Sequence, residues 1–474
     1  MDRQGHAVRC RFPEGSLASG TYLAYLSLIA ATTAALACLL RRPQQRLAAG
    51  VILLTLAATT AAFLWSASEP RYLLSDFYKG YYFAGSVVRQ APETLYDEAP
   101  PSPIPGVPSF VQYVNIPIVA YAFVPFAALS PSVAGGAITA LGLVSVAVAF
   151  GVLVSLARLS SRGALVLGAL FVANGPLYNS LREGNGTHFV LGAIALCLHW
   201  TRQGRFVAAG VVLALCAVLK PPLAILGAAF LVARQWRSVV AFALTGLGVS
   251  AASVLLFGWD LHVTWYERIV VPLQGHPLGA FNVQSTDGFV ARLLEGGAYL
   301  TRWSPIPDIS PAFLPSRLAL LSLLWVSVLA TRWRLRHADV NAMSAFDVSI
   351  LLVVSILGGP VSWSHYYALM LVPCAFLIGE ASVARTRSGW TRTLEVAGVL
   401  LVSLPVLGPA QATPGDVVAR ILFSHYFIGG VLILVALLVT QVRLVHDASR
   451  DTRHPSTMRS VMHTDSMRGH GSAA

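Results

Sequence analysis

Asp76 is the residue around which chemistry can be arranged in this chain. It stands in the run Ser75-Asp76-Phe77-Tyr78-Lys79-Gly80-Tyr81-Tyr82-Phe83, directly after a hydrophobic stretch. A carboxylate at the boundary between hydrocarbon and water is placed to take a proton from a hydroxyl group. Cations recur at comparable positions: Lys220 ahead of Pro221-Pro222, Arg292 at the end of a polar stretch, and His365 in the turn Gly358-Gly359-Pro360-Val361-Ser362-Trp363-Ser364-His365-Tyr366-Tyr367. Asn185, His188, Asn282, Ser285 and Trp363 are the other unusual polar groups. One acid and several cations on one face suit the transfer of a sugar from a lipid phosphate. The acceptor hydroxyl loses its proton to the carboxylate, and the phosphate leaves as an anion that Arg, Lys or His can receive. A single acid suffices on this reading, since phosphate departs without a strong acid, and no nucleotide-sugar site is visible. Each residue also has a plain structural reading. A loop Asp often caps a helix, a His near a membrane surface is usually interfacial, and a Lys can snorkel to headgroups.

The elements that must hold these residues are membrane spans. The chain has 474 residues, 55% of them hydrophobic and 11% charged, with a mean hydropathy of +0.66. A soluble domain carries about 25% charged residues, so bilayer is the natural solvent for most of this surface. The net charge of +12 is no nucleic-acid footprint, because Arg falls in short runs between apolar segments, as in cytoplasmic loops. Lys occurs only at positions 79 and 220, and Arg dominance with abundant Ala and Gly points to a GC-rich bacterial genome. The five cysteines show no CxxC spacing, which disfavours a disulfide framework or a zinc site.

Apolar segments near 18–40, 47–67, 113–130, 132–157, 163–181, 187–202, 205–219, 222–236, 238–258, 313–331, 367–384, 393–409 and 425–443, with one more climbing to Gly358, predict an all-α polytopic membrane domain over 18–443. A polar segment precedes it at 1–17. An Arg- and His-rich tail at 444–474 is expected to be cytoplasmic and disordered. Arg41, Arg42 and Arg46 place the loop after the first span inside, so the loops 68–112 and 259–311 fall outside. The charge rule then requires one segment not to cross. Segment 113–130, broken by Pro117 and Pro125, is the one expected to be split or re-entrant. Residues 76–90 predict an interfacial amphipathic helix begun or capped by Asp76, with its aromatics at headgroup level. The stretch from Pro92 to Pro108 predicts a rigid extended connection.

Taken in order, these residues resemble glycosyltransferase family 87, a group of bacterial membrane transferases of the GT-C type, over roughly 74–378. The resemblance rests on Asp76-Phe77, Tyr81-Tyr82, Ala84-Gly85 and Leu95-Tyr96. It continues through Gly184-Asn185-Gly186, Gly204-Arg205, Ala209-Gly210 and Lys220, then Asn282, Gln284-Ser285 and Arg292, and last Pro360, Ser362-Trp363 and His365. It implies a GT-C-like bundle of about 12–14 transmembrane helices with its site in the outer loops. It also implies inverting, metal-independent transfer of mannose or arabinofuranose from a polyprenyl-phosphate donor to a cell-envelope glycolipid or polysaccharide, without a cofactor and without nucleic acid. In that scheme Asp76 is the base, His365, Lys220 and Arg292 hold the donor phosphate, and Tyr82, Asn185, Asn282, Ser285 and Trp363 bind substrate, on the outer face of a bacterial plasma membrane. A transporter or flippase of lipid-linked substrates is the competing class. It would place ionisable groups at mid-membrane, whereas the spans here are almost free of charge.

Overall fold

Long apolar helices dominate the architecture, since most of the chain offers nothing polar to expose. The computed structural model describes residues 74–97, 113–335, 345–383, 389–406 and 417–451, all within one compact unit, Pro70–Ala474. Every regular element among the described residues is helical, apart from an isolated bridge between Val283 and Trp363. Among the described residues four helices are long and apolar enough to cross a bilayer: Pro131–Leu156, Trp236–Phe257, Phe313–Arg334 and His425–Arg443. A fifth candidate is the pair Ser161–Ala173 and Gly175–Glu183, bent by 50° at Asn174. A crossing needs about 20 residues at ~1.5 Å rise each. Leu244, Leu255 and Leu323 stand 65%, 85% and 65% exposed on these helices. Helices that are apolar on their outward faces too belong in lipid. The chain is therefore an all-α polytopic membrane protein.

Shorter apolar helices fill the interior: Phe206–Leu219, Pro221–Val232, Ala345–Gly358 and Ser364–Gly379. The segment 113–130 is split into Pro117–Tyr121 and Val124–Ala127, each with a proline in its first turn, and neither piece is long enough to cross. Two expected spans, 18–40 and 47–67, lie outside the described residues with the N-terminal segment 1–17. The final helix, His425–Asp451, continues past the point where the tail was expected to begin. The rest of the tail lies outside the described residues, as does most of the Pro92–Pro108 connection.

The helix carrying Asp76 departs from the expected interfacial one. A π-helical stretch, Phe77–Tyr82, runs directly into an α-helix, Phe83–Gln90. Its aromatics point into protein rather than toward headgroups: Phe77, Tyr81, Tyr82, Ala84 and Val88 are all buried. The reason is a set of partners that the split segment supplies. Tyr81 stacks on Phe123 with ring centres 4.6 Å apart, and Phe77 meets Phe126 edge-on at 6.1 Å. Such pairs contribute about 0.5–1.5 kcal/mol each beyond their buried area. Gly85 allows the approach, because a Cβ there would come within 2.7 Å of the Phe123 backbone. Asp76 makes no side-chain cap hydrogen bond to this helix. Its carboxylate is directed elsewhere.

Candidate active site

The turn between Gly175–Glu183 and Thr187–Arg202 fixes where the Asp76 carboxylate goes. Gly184 ends the first helix in the left-handed region at φ 66°. A Cβ at that position would lie 2.7 Å from Cβ of Phe77, so only glycine allows both the conformation and the packing. The Leu74 amide donates to the Arg182 carbonyl at 2.6 Å, pinning the chain two residues before Asp76. Leu74 itself sits at φ 56°, a conformation that costs a non-glycine residue roughly 1–2 kcal/mol and that the surrounding contacts hold in place.

Asn185 then reads Asp76 directly. Its Nδ2 donates to Asp76 Oδ2 at 2.9 Å. Its Oδ1 accepts from the Thr187 amide at 3.0 Å and from the Thr187 hydroxyl at 2.7 Å. Two donors on Oδ1 assign the amide orientation, leaving Nδ2 for the carboxylate. Burial pushes the Asp76 carboxyl up to about 6, with the neighbouring Glu183 charge adding to the rise, while His365, Asn185 and Lys220 pull it down.

Lys220 and His365 reach the same place from other elements. Lys220 occupies the break between Phe206–Leu219 and the 3-10 turn Pro221–Leu226, where Pro221 and Pro222 prevent the α-helix from continuing. It is 4% exposed, and its ammonium lies 3.7 Å from the centre of the Tyr366 ring, a cation–π contact worth about 2 kcal/mol when desolvated. His365 opens the 3-10 segment Ser364–Met370 and is also buried. Its Nδ1 is 3.7 Å from Glu183 Oε2, and its Nε2 is buried without a hydrogen-bond partner. Asp76, Glu183 and His365 each offer one ligand-type atom, all within 4.8 Å of one another. Donors of these types occur in cation sites, but the Lys220 side chain beside Asp76 and His365 works against a divalent cation here. Lys220 stands close enough to the same group that both Asp76 and His365 feel it.

Asp76, Asn185, Lys220 and His365 are thus brought together, and Glu183 joins them. The expectation of a single acid is corrected, since two carboxylates share the site. Glu183 has a sequence signal, being the only acid between Glu98 and Asp260, yet it is easily taken for an ordinary member of an Arg-containing turn. Tyr81 and Tyr366 also line the group, each feeling the Asp76 charge.

The remaining expected site residues bind to backbone or to one another instead. Tyr82 donates its hydroxyl to the Leu129 carbonyl. Asn282 Oδ1 accepts from the Trp303 indole. Ser285 caps Thr286–Glu295 through the Gly288 amide and donates to the Pro360 carbonyl. Trp363 packs on the Leu278, Ala280 and Val283 cluster. The Ser285 and Trp363 contacts brace the His365 turn. The Gln284 amide donates to the Ser362 carbonyl at 2.6 Å, and the Ser364 amide to the Asn282 carbonyl at 2.7 Å. His188 is held by Ser180 Oγ at 3.0 Å.

Arg292 stands with this brace. It is fully buried, and its guanidinium donates to the carbonyls of Ala280 and Val283 and to Ser424 Oγ at 2.9, 2.6 and 2.9 Å. Arg292→Met should therefore lower the melting temperature, stranding two carbonyls at about 1–3 kcal/mol each, while the folded fraction keeps a normal KM for its donor. Thermal unfolding and steady-state kinetics on one preparation check this, and a raised donor KM in a stable Arg292→Met protein would instead put Arg292 on the substrate.

Fold and site together define a membrane protein in which a buried acid, its amide partner, a second carboxylate and the side chains of Lys220 and His365 are gathered in one place. Residues 113–360, more than half of the chain, match Glycosyltransferase family 87, and the chain belongs to that family. The match takes in Glu183, Asn185 and Lys220, begins after Asp76 and ends just before His365. The chain is similar to a polyprenol-phosphate-mannose-dependent alpha-(1-2)-phosphatidylinositol mannoside mannosyltransferase of Mycolicibacterium smegmatis. The two are 29% identical over 313 residues, which is 60% of this chain and 65% of the relative.

Proposed function

We propose that this protein is a multi-pass glycosyltransferase of a bacterial plasma membrane that moves a sugar from a polyprenyl-phosphate donor to a cell-envelope glycolipid on the outer face. Mannose is the favoured sugar, by analogy with the relative's donor, with arabinofuranose as the alternative. The observation that carries the reading is the Asp76–Asn185 hydrogen bond set beside buried Lys220 and His365. Asp76 is the general base, positioned by Asn185. Lys220 and His365 receive the phosphate.

The chemistry follows from the arrangement. The acceptor hydroxyl gives its proton to Asp76 as its oxygen attacks the anomeric carbon. The carbon–oxygen bond to phosphate breaks on the opposite side, which inverts the configuration. Charge then grows on phosphate oxygens near the Lys220 amine, so contact there favours the transition state over the ground state. The exposed apolar faces of the long helices allow a polyprenyl tail to approach from the bilayer.

The test is a transfer assay with purified protein, radiolabelled polyprenyl-phosphate mannose or arabinose, and a bacterial lipid extract. Labelled glycolipid from one of these donors is expected. Failure of both donors, with a folded protein and a competent extract, would remove the proposal. A lipid-linked donor moved across vesicles without product would turn it into the transporter reading.

A further inference from the structure

Glu183 has no part in the scheme above, yet it lies in the middle of the site. Its Oε2 is 3.7 Å from His365 Nδ1, longer than a hydrogen bond and short enough to close when substrate tightens the pocket. On the far side of the same ring, Nε2 is buried and has no partner. A buried nitrogen left unmatched in this way is costly unless a ligand completes it. The imidazole therefore connects a carboxyl group on one side to an open position on the other.

The second carboxylate makes the same point. Asp76, Glu183 and His365 place one polar atom each within 4.8 Å of one another. Two carboxylates so close in a buried site do not both ionise readily, and one keeps a proton. Asp76 is the one favoured as the anion, because Asn185 donates to it at 2.9 Å and the neighbouring Lys220 favours its ionised form. At Glu183 burial outweighs the Arg182 charge and the Asn179 hydrogen bond and raises the carboxyl to about 7, above Asp76 at about 6, so Glu183 is left as the acid.

Resting on the reading of the site as a sugar transferase, we propose that Glu183 acts through His365 to return to the leaving phosphate the proton that Asp76 takes from the acceptor. In the resting site the Glu183 O–H faces Nδ1, and the imidazole carries its own proton on Nε2. Asp76 removes the proton of the acceptor hydroxyl, and the oxygen bonds to the anomeric carbon. The bond from that carbon to the phosphate oxygen breaks, its electron pair staying on the phosphate. The Nε2 proton passes to that phosphate, and Nδ1 takes the Glu183 proton. Nδ1 then returns its proton to the Glu183 carboxylate, and Asp76 gives its proton to Nε2, which restores the first tautomer. One proton has moved from acceptor to lipid phosphate, and the site is reset without a proton from bulk water. Such closure suits a site walled by apolar helices. His365 is the catalytic residue of the pair and Glu183 its positioning and proton-supplying partner.

The charged and titratable groups facing this pair come from every element around it. They are Asp76, Arg182 beside Glu183, His188 on Thr187–Arg202, Lys220, and the phenols of Tyr81 and Tyr366.

The experiment is the pH dependence of kcat for wild-type, Glu183→Gln and Glu183→Asp proteins, with the melting temperature of each. Gln keeps shape and hydrogen bonding but holds no transferable proton. Wild type should show a rising limb from Asp76 and a falling limb at higher pH. Glu183→Gln should lose ~10²-fold at the plateau and lose the falling limb, keeping the rising limb. Glu183→Asp, whose shorter acid still holds a proton, should keep both limbs at reduced rate, and it serves in place of Gln should that variant not fold. Wild-type kcat in Glu183→Gln, or a uniform loss that leaves the falling limb intact, overturns the relay. Failure of the wild-type enzyme itself to transfer from any polyprenyl-phosphate sugar would instead sink the functional reading beneath it.

Discussion

Asp76→Asn should lower turnover by about 10²–10⁴-fold, the usual cost of losing a general base, without harming the fold. The exchange preserves volume. The new side-chain oxygen can still accept the hydrogen bond that Asn185 Nδ2 now gives to Asp76 at 2.9 Å. Proton affinity is the property removed. Stability should move the other way. The folded carboxyl sits at about 6, raised chiefly by burial and next by Glu183, so the folded state holds its proton to higher pH than the unfolded chain. The stability this provides is complete below the ordinary carboxyl range and is lost as pH rises through about 6. At neutral pH the ionised Asp76 therefore costs stability, and Asp76→Asn should melt at or slightly above the wild-type temperature. In the wild type, kcat should rise tenfold per pH unit below about 6, because the base works only when ionised, before the falling limb sets in at higher pH. A folded Asp76→Asn enzyme with near-wild-type turnover would dismiss the assignment.

The helical architecture was legible because apolar composition leaves the chain few alternatives. Spans near 132–157, 238–258, 313–331 and 425–443 correspond to Pro131–Leu156, Trp236–Phe257, Phe313–Arg334 and the start of His425–Asp451. Asp76, Lys220 and His365 were legible for the same reason, since a charge kept beside hydrocarbon needs a cause. What could not be read was the direction of each side chain. Tyr82, Asn282, Ser285 and Arg292 are as polar and as well spaced as Asn185, yet their polar atoms meet Leu129, Trp303, Pro360 and the carbonyls of Ala280 and Val283. Spacing along a loop does not say which polar group meets backbone and which meets an open pocket. The Asp76 helix shows the same limit: its aromatic periodicity is real, but whether it faces headgroups or Phe123 and Phe126 is decided by a split segment some forty residues away. Glu183 was hidden by its neighbours, because an acid flanked by Arg182 and glycine reads as a solvated turn until Gly184 is seen packed on Phe77.

Lys220→Met should produce the second large effect, a fall in kcat/KM for the donor of about 10²–10³-fold, as expected when one preorganised charge at a developing anion is removed. The position explains why the ammonium is there at all. Lys220 is 4% exposed at a break in a helix that is otherwise apolar, and hydrocarbon surroundings make an ammonium costly. The Tyr366 ring 3.7 Å away offsets part of that cost, but a ring carries no net charge. The Asp76 carboxylate balances part of the charge, and a lipid phosphate adds to that balance, increasingly so as the glycosidic bond breaks. Methionine fills the same space without the charge, so the fold should hold while the leaving phosphate loses its receiver. Lys220→Arg should rescue only partly, because the larger guanidinium must fit where a compact ammonium is 4% exposed. Product inhibition separates this role from a structural one. If Lys220 binds the phosphate, inhibition by free polyprenyl phosphate should weaken in Lys220→Met while KM for the acceptor stays as it was. If Lys220 serves only to hold Tyr366 and the helix break, the melting temperature should drop and the surviving enzyme should keep wild-type inhibition by polyprenyl phosphate, which would take Lys220 out of the donor site.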